Sequence, residues 1–197
     1  MKKVGIVHPD LMAKGGAENV CMHMIEALQD QHNIELITFN IPSIPELNGY
    51  FDVDVDPKKV EFRRAGIAGP NIHRFSNTRL HVLKKSLLNR FVKNIQYEYD
   101  LVISSYNEFD LDSKNIQYIN HPDFDRRFRD DNRDQTKIYK FYDELCSSIS
   151  GFDGLKNGKF FVNSDWMGEI VENLYDINTK TIYPPVKVHE FPHIGWE

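Results

Sequence analysis

The run Gly15-Gly16-Ala17-Glu18 follows a short apolar segment, Val4-Gly5-Ile6-Val7, and opens a strongly periodic stretch. A strand, a glycine turn and a helix start in that order bring backbone N–H groups and the positive end of a helix dipole to one point. That point suits a diphosphate or a sugar phosphate. The spacing is neither the G-x-G-x-x-G of a dinucleotide fingerprint nor the G-x-x-x-x-G-K-[ST] of a P-loop. Glu18 falls in the first helical turn, where the dipole stabilises a carboxylate whatever its function, and it is read as structural. Polar residues also end other apolar runs: His8, Ser104-Ser105, Asn120-His121 and Asn163-Ser164. A histidine at a strand end is more often held by backbone hydrogen bonds than used in chemistry, and His8 is left open on that point. The charged run Asp125-Arg126-Arg127-Phe128-Arg129-Asp130-Asp131 could grip an anionic acceptor such as a lipid phosphate, although its interleaved aspartates favour a solvated loop.

Other chemistries find no support. The remaining histidines, at 23, 32, 73, 81, 189 and 193, have no metal-ligand spacing with acids or cysteines, so no metal and no cofactor is expected. No G-x-S-x-G elbow is present to place a serine nucleophile.

The elements that must position these residues are legible from periodicity. Short apolar, β-branched runs at 4–8, 34–39, 100–105, 116–121 and 159–163 read as buried parallel strands, with shorter ones at 60–62 and 181–183. Residues 17–28 place Ala17, Val20, Cys21, Met24, Ile25 and Leu28 on one stripe of a helix. A longer helix over 74–95 carries Leu80, Leu83, Leu87, Phe91 and Ile95. Further helices carry Ile138, Phe141, Tyr142, Leu145 and Ile149, and then Trp166, Met167, Ile170, Val171 and Leu174, the last capped by Ser164 or Asp165. Residues 40–70 are punctuated by proline and glycine and give no clear order. Strands alternating with helices predict an α/β, doubly wound, mostly parallel sheet with helices on both faces. Ligands in such folds sit beyond the carboxyl ends of the strands, at a topological switch point, which is where the polar residues above collect.

The chain has 197 residues, enough for one good-sized domain. A net charge of −5 argues against a general nucleic-acid binder. Cys21 and Cys146 both fall on helical stripes, as expected of reduced core residues in a reducing compartment. Met1-Lys2-Lys3 runs straight into a strand without the apolar region of a signal peptide, and no segment is long enough to span a membrane. A cytoplasmic protein is expected. Arg79, Lys84, Lys85, Arg90 and Lys93 give the 74–95 helix a basic side that could rest on the inner face of an anionic membrane, although a solvated outer face is the simpler account.

The chain resembles the N-terminal domain of the GT-B fold glycosyltransferases of family 4, retaining enzymes that use nucleotide-activated sugars. The resemblance lies in Gly15-Gly16-Ala17-Glu18, in Tyr99-Asp100-Leu101-Val102-Ile103-Ser104-Ser105, in Tyr118-Ile119-Asn120-His121-Pro122, in Phe161-Val162-Asn163-Ser164-Asp165-Trp166 and in Ile182-Tyr183-Pro184-Pro185-Val186. It implies one half of a GT-B fold over 1–186, with 187–197 beginning an interdomain linker. The partners implied are a nucleotide-diphosphate sugar donor and a glycan or lipid-linked acceptor. It implies His121 as the catalytic residue facing the donor sugar, and Gly15, Gly16, Ser104, Asn120, Arg126 and Asn163 as substrate-binding. Two departures stand out. The family's second domain, which holds the nucleotide, does not follow within the 197 residues, so the isolated chain is expected to be inactive. Gln31-His32-Asn33 also lacks the Gly-His common in the family at that loop. Two other readings remain: a stand-alone binding subunit that pairs with a separate donor domain, and a Rossmann module for a nucleotide unrelated to sugars.

Overall fold

The computed structural model describes residues 1–66, 81–124 and 137–186. The expectations placed on 67–80, on the loop with Arg126, on the side chain of Ile138, on the linker 187–197 and on His73, His189 and His193 lie outside the described residues.

Among the described residues, seven strands form one sheet: β1 (Lys2–Val7), β2 (His32–Thr38), β3 (Val60–Arg64), β4 (Leu101–Ser104), β5 (Asn115–Ile119), β6 (Gly158–Val162) and β7 (Thr179–Thr181). Their order is β3-β2-β1-β4-β5-β6-β7 and every pairing is parallel. The chain winds outward one way from β1 and then, after β3, crosses to β4 and winds the other way. The switch point therefore lies between β1 and β4. The doubly wound α/β arrangement expected from the alternation is the observed one.

Among the described residues, five α-helices cover the sheet: α1 (Gly16–Leu28), α2 (Ile44–Phe51), α3 (His81–Ile95), α4 (Lys137–Ser150) and α5 (Asp165–Tyr175). Alternation along each strand splits the core between the two faces. Val4, Ile6, Ile34, Leu36 and Ile103 pack against α1 and α2, while Val7, Ile37 and Val102 pack against Leu88 and Val92 of α3. Beyond them Ile119, Phe160 and Val162 pack against Met167 and Val171 of α5.

Gly5 belongs to the face that holds Tyr99. A Cβ there would stand 2.9 to 3.1 Å from three ring carbons of Tyr99. The ring is pinned: its hydroxyl donates to Glu35 at 3.0 Å and accepts from Arg63 at 2.9 Å. Gly5→Ala is therefore expected to lower stability by about 1–3 kcal/mol, the usual cost of overpacking a fixed core. Urea unfolding measures it, and an unchanged midpoint would mean that Tyr99 swings aside.

The structure corrects several local expectations. Helix α2 lies where the sequence gives no clear order, because Pro45 and Gly49 read as punctuation. Proline is tolerated in a first helical turn, and it stands there in α2. The last strand is Thr179–Thr181, which leaves Ile182 and Tyr183 outside it and exposed. Phe141, Leu145 and Trp166, expected on buried stripes, are exposed. In α4 the inward side runs through Tyr142, Cys146 and Ser150, and small residues there let α4 approach α3 closely. In α3 the fully buried positions are Val82, Lys85, Ser86, Leu88, Asn89 and Val92. That face is rotated from the leucine stripe, and it takes Lys85 off the basic side proposed for a membrane. Lys93 is likewise turned to a protein partner, donating to Asp110 at 2.6 Å. No helix among the described residues is long and apolar enough to cross a membrane.

Candidate functional site

All carboxyl ends of a parallel sheet lie on one rim, so the segments after β1, β4, β5 and β6 meet there. After β1, Asp10 caps a short 3-10 turn, Lys14 takes the left-handed conformation (φ 56°), and Gly15-Gly16 open α1. First-turn N–H groups of a helix lack an intrahelical acceptor. That of Gly15 is taken by Glu18, whose Oε2 accepts it at 2.7 Å. The same oxygen explains Gly15: an added Cβ would lie 2.7 Å from it. Gly16 is different. Among the described residues, nothing but its chain neighbours and its own helix's backbone lies within 4 Å of where its Cβ would be, so their packing leaves open space there. Both glycines are exposed.

Behind the loop, His8 is fully buried. Its Nε2 lies 3.1 Å from Glu18 Oε1 and its Nδ1 lies 3.0 Å from Ser105 Oγ. Burial alone would raise the Glu18 carboxyl. The hydrogen bond and charge of His8, with the N–H groups of Glu18 and Gly15, outweigh it and hold the group below its ordinary 4.5. Serine, histidine and glutamate thus stand in sequence, but not as a nucleophile set. Ser105 and His8 have no exposed surface, and Ser105 Oγ also lies 3.1 Å from the Val7 carbonyl. Cys21 lies against the same group, and burial pushes its thiol up to about 12, that of an inert core residue.

The loops after β4 and β5 are stapled by one side chain. Asn107, itself left-handed (φ 59°), accepts the N–H groups of Asn120 and His121 on Oδ1 at 3.0 and 3.1 Å, and donates through Nδ2 to Asp123 at 2.8 Å. Asp123 in turn pairs with Lys85 of α3 at 3.3 Å. Lys85 donates to the Tyr106 carbonyl at 2.9 Å, and its ammonium lies 4.4 Å from the centre of the Phe109 ring and 5.2 Å from that of Tyr106. The Tyr106 ring meets the His8 ring edge-on, with centroids 5.3 Å apart. One continuous line of contacts therefore joins Gly15 to the His121 backbone, through Glu18, His8, Tyr106, Lys85, Asp123 and Asn107. Burial, then the charges of Asp123, Glu18 and Glu108, push the Tyr106 hydroxyl upward.

Beneath this line sits Glu108, fully buried. Its Oε1 accepts the Phe124 N–H at 2.7 Å and the Tyr175 hydroxyl at 3.2 Å, while Oε2 has no partner among the described residues. Burial raises its carboxyl to about 7, Lys85 pulling the other way and Asp123 adding to the rise.

The residues singled out from sequence fall as follows. His121 is at the surface, its side chain 48% exposed, with Nδ1 3.9 Å from Asp123 Oδ1. That is too long for a hydrogen bond and leaves the ring able to turn. Asn120 and Asn163 stand side by side just past the ends of β5 and β6, Asn163 Nδ2 donating to the Asn120 carbonyl at 3.4 Å, while Asn120 Nδ2 is buried without a partner among the described residues. Ser104 is buried and turned inward: it donates to the Asn107 carbonyl at 2.7 Å and accepts the Tyr106 N–H at 3.3 Å. Gly15, Gly16, Asn120, His121 and Asn163 share the rim. The chain beyond β7 returns along it, where Tyr118 donates to the Ile182 carbonyl at 2.8 Å and Asn19 to that of Pro185 at 3.2 Å. Asn107, Glu108 and Asp123 are not singled out by sequence reasoning, and Lys85 stands out there only as part of a basic helix side. Only Glu18 left a signal, since a glutamate three residues after a helix cap is the reaching half of a capping box.

These features define a Rossmann-like domain with a polar rim at its switch point. No protein-family model matches the sequence, and no curated protein sequence matches it significantly. Among solved structures, the chain is similar to Anabaena Alr3699/HepE, whose crystal structure is a complex with UDP and glucose. The two are 13% identical over 96% of this chain and 46% of that one, with a TM-score of 0.47. It is also similar to a glycosyltransferase from Rickettsia africae, at 14% identity over 94% of this chain and 43% of that one, with a TM-score of 0.45. The chain spans less than half the length of either structure.

Proposed function

We propose that this chain is the N-terminal, acceptor-side half of a retaining GT-B glycosyltransferase, which moves a sugar from a nucleotide-diphosphate donor to a glycan or lipid-linked acceptor. The observation that carries the reading is the convergence on one rim of the open double-glycine loop and a half-exposed histidine. The loop offers the N–H groups of Gly16 and Ala17 and the positive end of α1 to a diphosphate, with room at Gly16 for a ligand to approach. His121, held by its backbone to Asn107 and with no ring hydrogen bond among the described residues, would donate to a sugar hydroxyl or meet the charge that develops as the glycosidic bond breaks. No general base is assigned to this half. The acceptor's proton passes to the leaving phosphate, as the resemblance implies, and a second domain closing over the rim would exclude water.

His121→Ala in the complete enzyme is expected to cut turnover about 100-fold or more, the scale of losing one charge-stabilising donor. The circular dichroism spectrum should not change, because the backbone bonds of residue 121 survive the substitution. Full turnover at saturating substrate would remove His121 from the site. Calorimetry with nucleotide sugars and separately with NAD tests the class, and tight NAD binding would reverse it.

A further inference from the structure

The double-glycine loop is not a free turn. It is connected to the far side of the switch point through buried groups that the transfer reaction has no need to touch. Gly15 N–H is held by one oxygen of Glu18, the other oxygen faces His8 Nε2 at 3.1 Å, and His8 Nδ1 faces Ser105 Oγ at 3.0 Å. Ser105 follows β4 directly, and its N–H donates to the Val7 carbonyl at 3.2 Å. Residues 8 and 105 are 97 positions apart, so no local propensity sets this contact.

We propose that His8 is a positioning residue: its ring, fixed by Ser105, holds the Glu18 carboxylate on Gly15 N–H, and so decides which amides of the loop remain to receive an anion. This rests on the glycosyltransferase reading only for the identity of that anion. The proton inventory supports it. A Glu18 carboxylate can only accept, so Nε2 carries hydrogen. Nδ1 can then accept from the Ser105 hydroxyl. If the ring gains a second proton, the same hydroxyl turns to the Val7 carbonyl, 3.1 Å away, and accepts from Nδ1 instead. Both hydrogen-bonding arrangements are satisfied without moving a heavy atom, so the contact with Ser105 holds the ring in either one. The other titratable groups facing this ring are Tyr106, edge-on at 5.3 Å between centroids, and Cys21, which bonds Ser105. With Glu18 seated on Gly15, a negative charge shields that amide, and an incoming anion is directed to Gly16 and Ala17.

The test uses the full chain in three forms: wild type, His8→Gln and Ser105→Ala. Nitrogen NMR of the His8 ring in the wild type should show Nε2 protonated, and the Nδ1 shift should move in Ser105→Ala. Amide exchange at Gly15 should quicken at least 10-fold in His8→Gln. Inorganic pyrophosphate, followed through the amides of the loop, should shift Gly16 and Ala17 but not Gly15 in the wild type, and should shift Gly15 as well in either variant. Should His8→Gln fail to fold, Ser105→Ala keeps the imidazole in place and reports the same three quantities. An Nδ1-protonated neutral ring, or variants that match the wild type in Gly15 exchange, would overturn the proposal. A wild type that ignores pyrophosphate while its variants lose Gly15 protection supports the positioning role and counts instead against the donor-phosphate reading.

Discussion

Lys85→Met is expected to remove about 3–5 kcal/mol of stability near pH 8, the largest loss foreseen for any single exchange on the rim. Its ammonium is the cation that faces two buried carboxylates, pairing with Asp123 at 3.3 Å and opposing the rise of the Glu108 carboxyl. Methionine matches the stem in length and keeps its packing between Phe109 and Tyr106. What disappears is the charge, the bond to the Tyr106 carbonyl and the attraction to the ring faces. Asp123 keeps Asn107 as donor, but it would remain an anion in a site with little water. A domain of this size has roughly 5–15 kcal/mol in total, so the exchange takes a large share of it. The deficit should shrink towards pH 5, where the stranded carboxyls can take up protons. Adding Asp123→Asn should recover much of it, because the pair is then removed as a unit. Urea unfolding at both pH values measures this, and a loss under about 1 kcal/mol at pH 8 would show that the ammonium was worth little more than an exposed pair.

The second large effect concerns Glu108 and runs in the opposite direction with pH. Its carboxyl is raised from an ordinary 4.5 to about 7, chiefly by burial. A raised carboxyl stays protonated in the native state while its unfolded counterpart ionises. Its contribution to stability is therefore fully present below pH 4.5, declines as pH rises through the interval, and is gone once pH passes about 7. The span corresponds to roughly 3 kcal/mol. Glu108→Gln keeps an oxygen for the Phe124 N–H and cannot ionise. The difference in melting temperature between the two proteins should therefore move in favour of the variant between pH 5 and pH 8. A difference that stays constant across that range would mean Glu108 ionises normally. The Phe124 anchor lies one residue past Asp123 and three past His121, so the same titration bears on how firmly the loop after β5 is held.

What could be read in advance follows from the range of the forces involved. The buried strands β1, β2, β4, β5 and β6 were visible because a parallel strand covered on both faces must be apolar throughout, and such runs stand out without knowledge of their neighbours. Their alternation with helices led to the doubly wound sheet, and the sheet led to the rim, so the neighbourhood of Gly15, His121 and Asn163 was legible from residue order. Helix α2 was not, because a proline that ends one helix can begin another, and only the cap geometry tells them apart. The inward faces of α3 and α4 are only partly legible in the sequence. Counting large apolar residues selects Leu87, Phe141 and Leu145, whereas packing buries Lys85, Ser86 and Ser150, which are small or carry a partner elsewhere; Cys146, expected in the core, lies there.

The sequence by itself determined the architecture and the ends of the strands at which polar groups would gather, since both depend on periodicity and on chain order. The tertiary structure alone decided what those groups do to one another. It showed that Gly15 is a glycine because Glu18 lies against it while Gly16 has open space, that Lys85 is a buried counter-charge and not part of a solvated face, and that His8 links β1 to β4. The contacts of Lys85 and of His8 join residues distant in sequence, and through His8 they also fix where Glu18 sits on Gly15, across a low-dielectric interior where one oxygen a few ångströms away outweighs local preference.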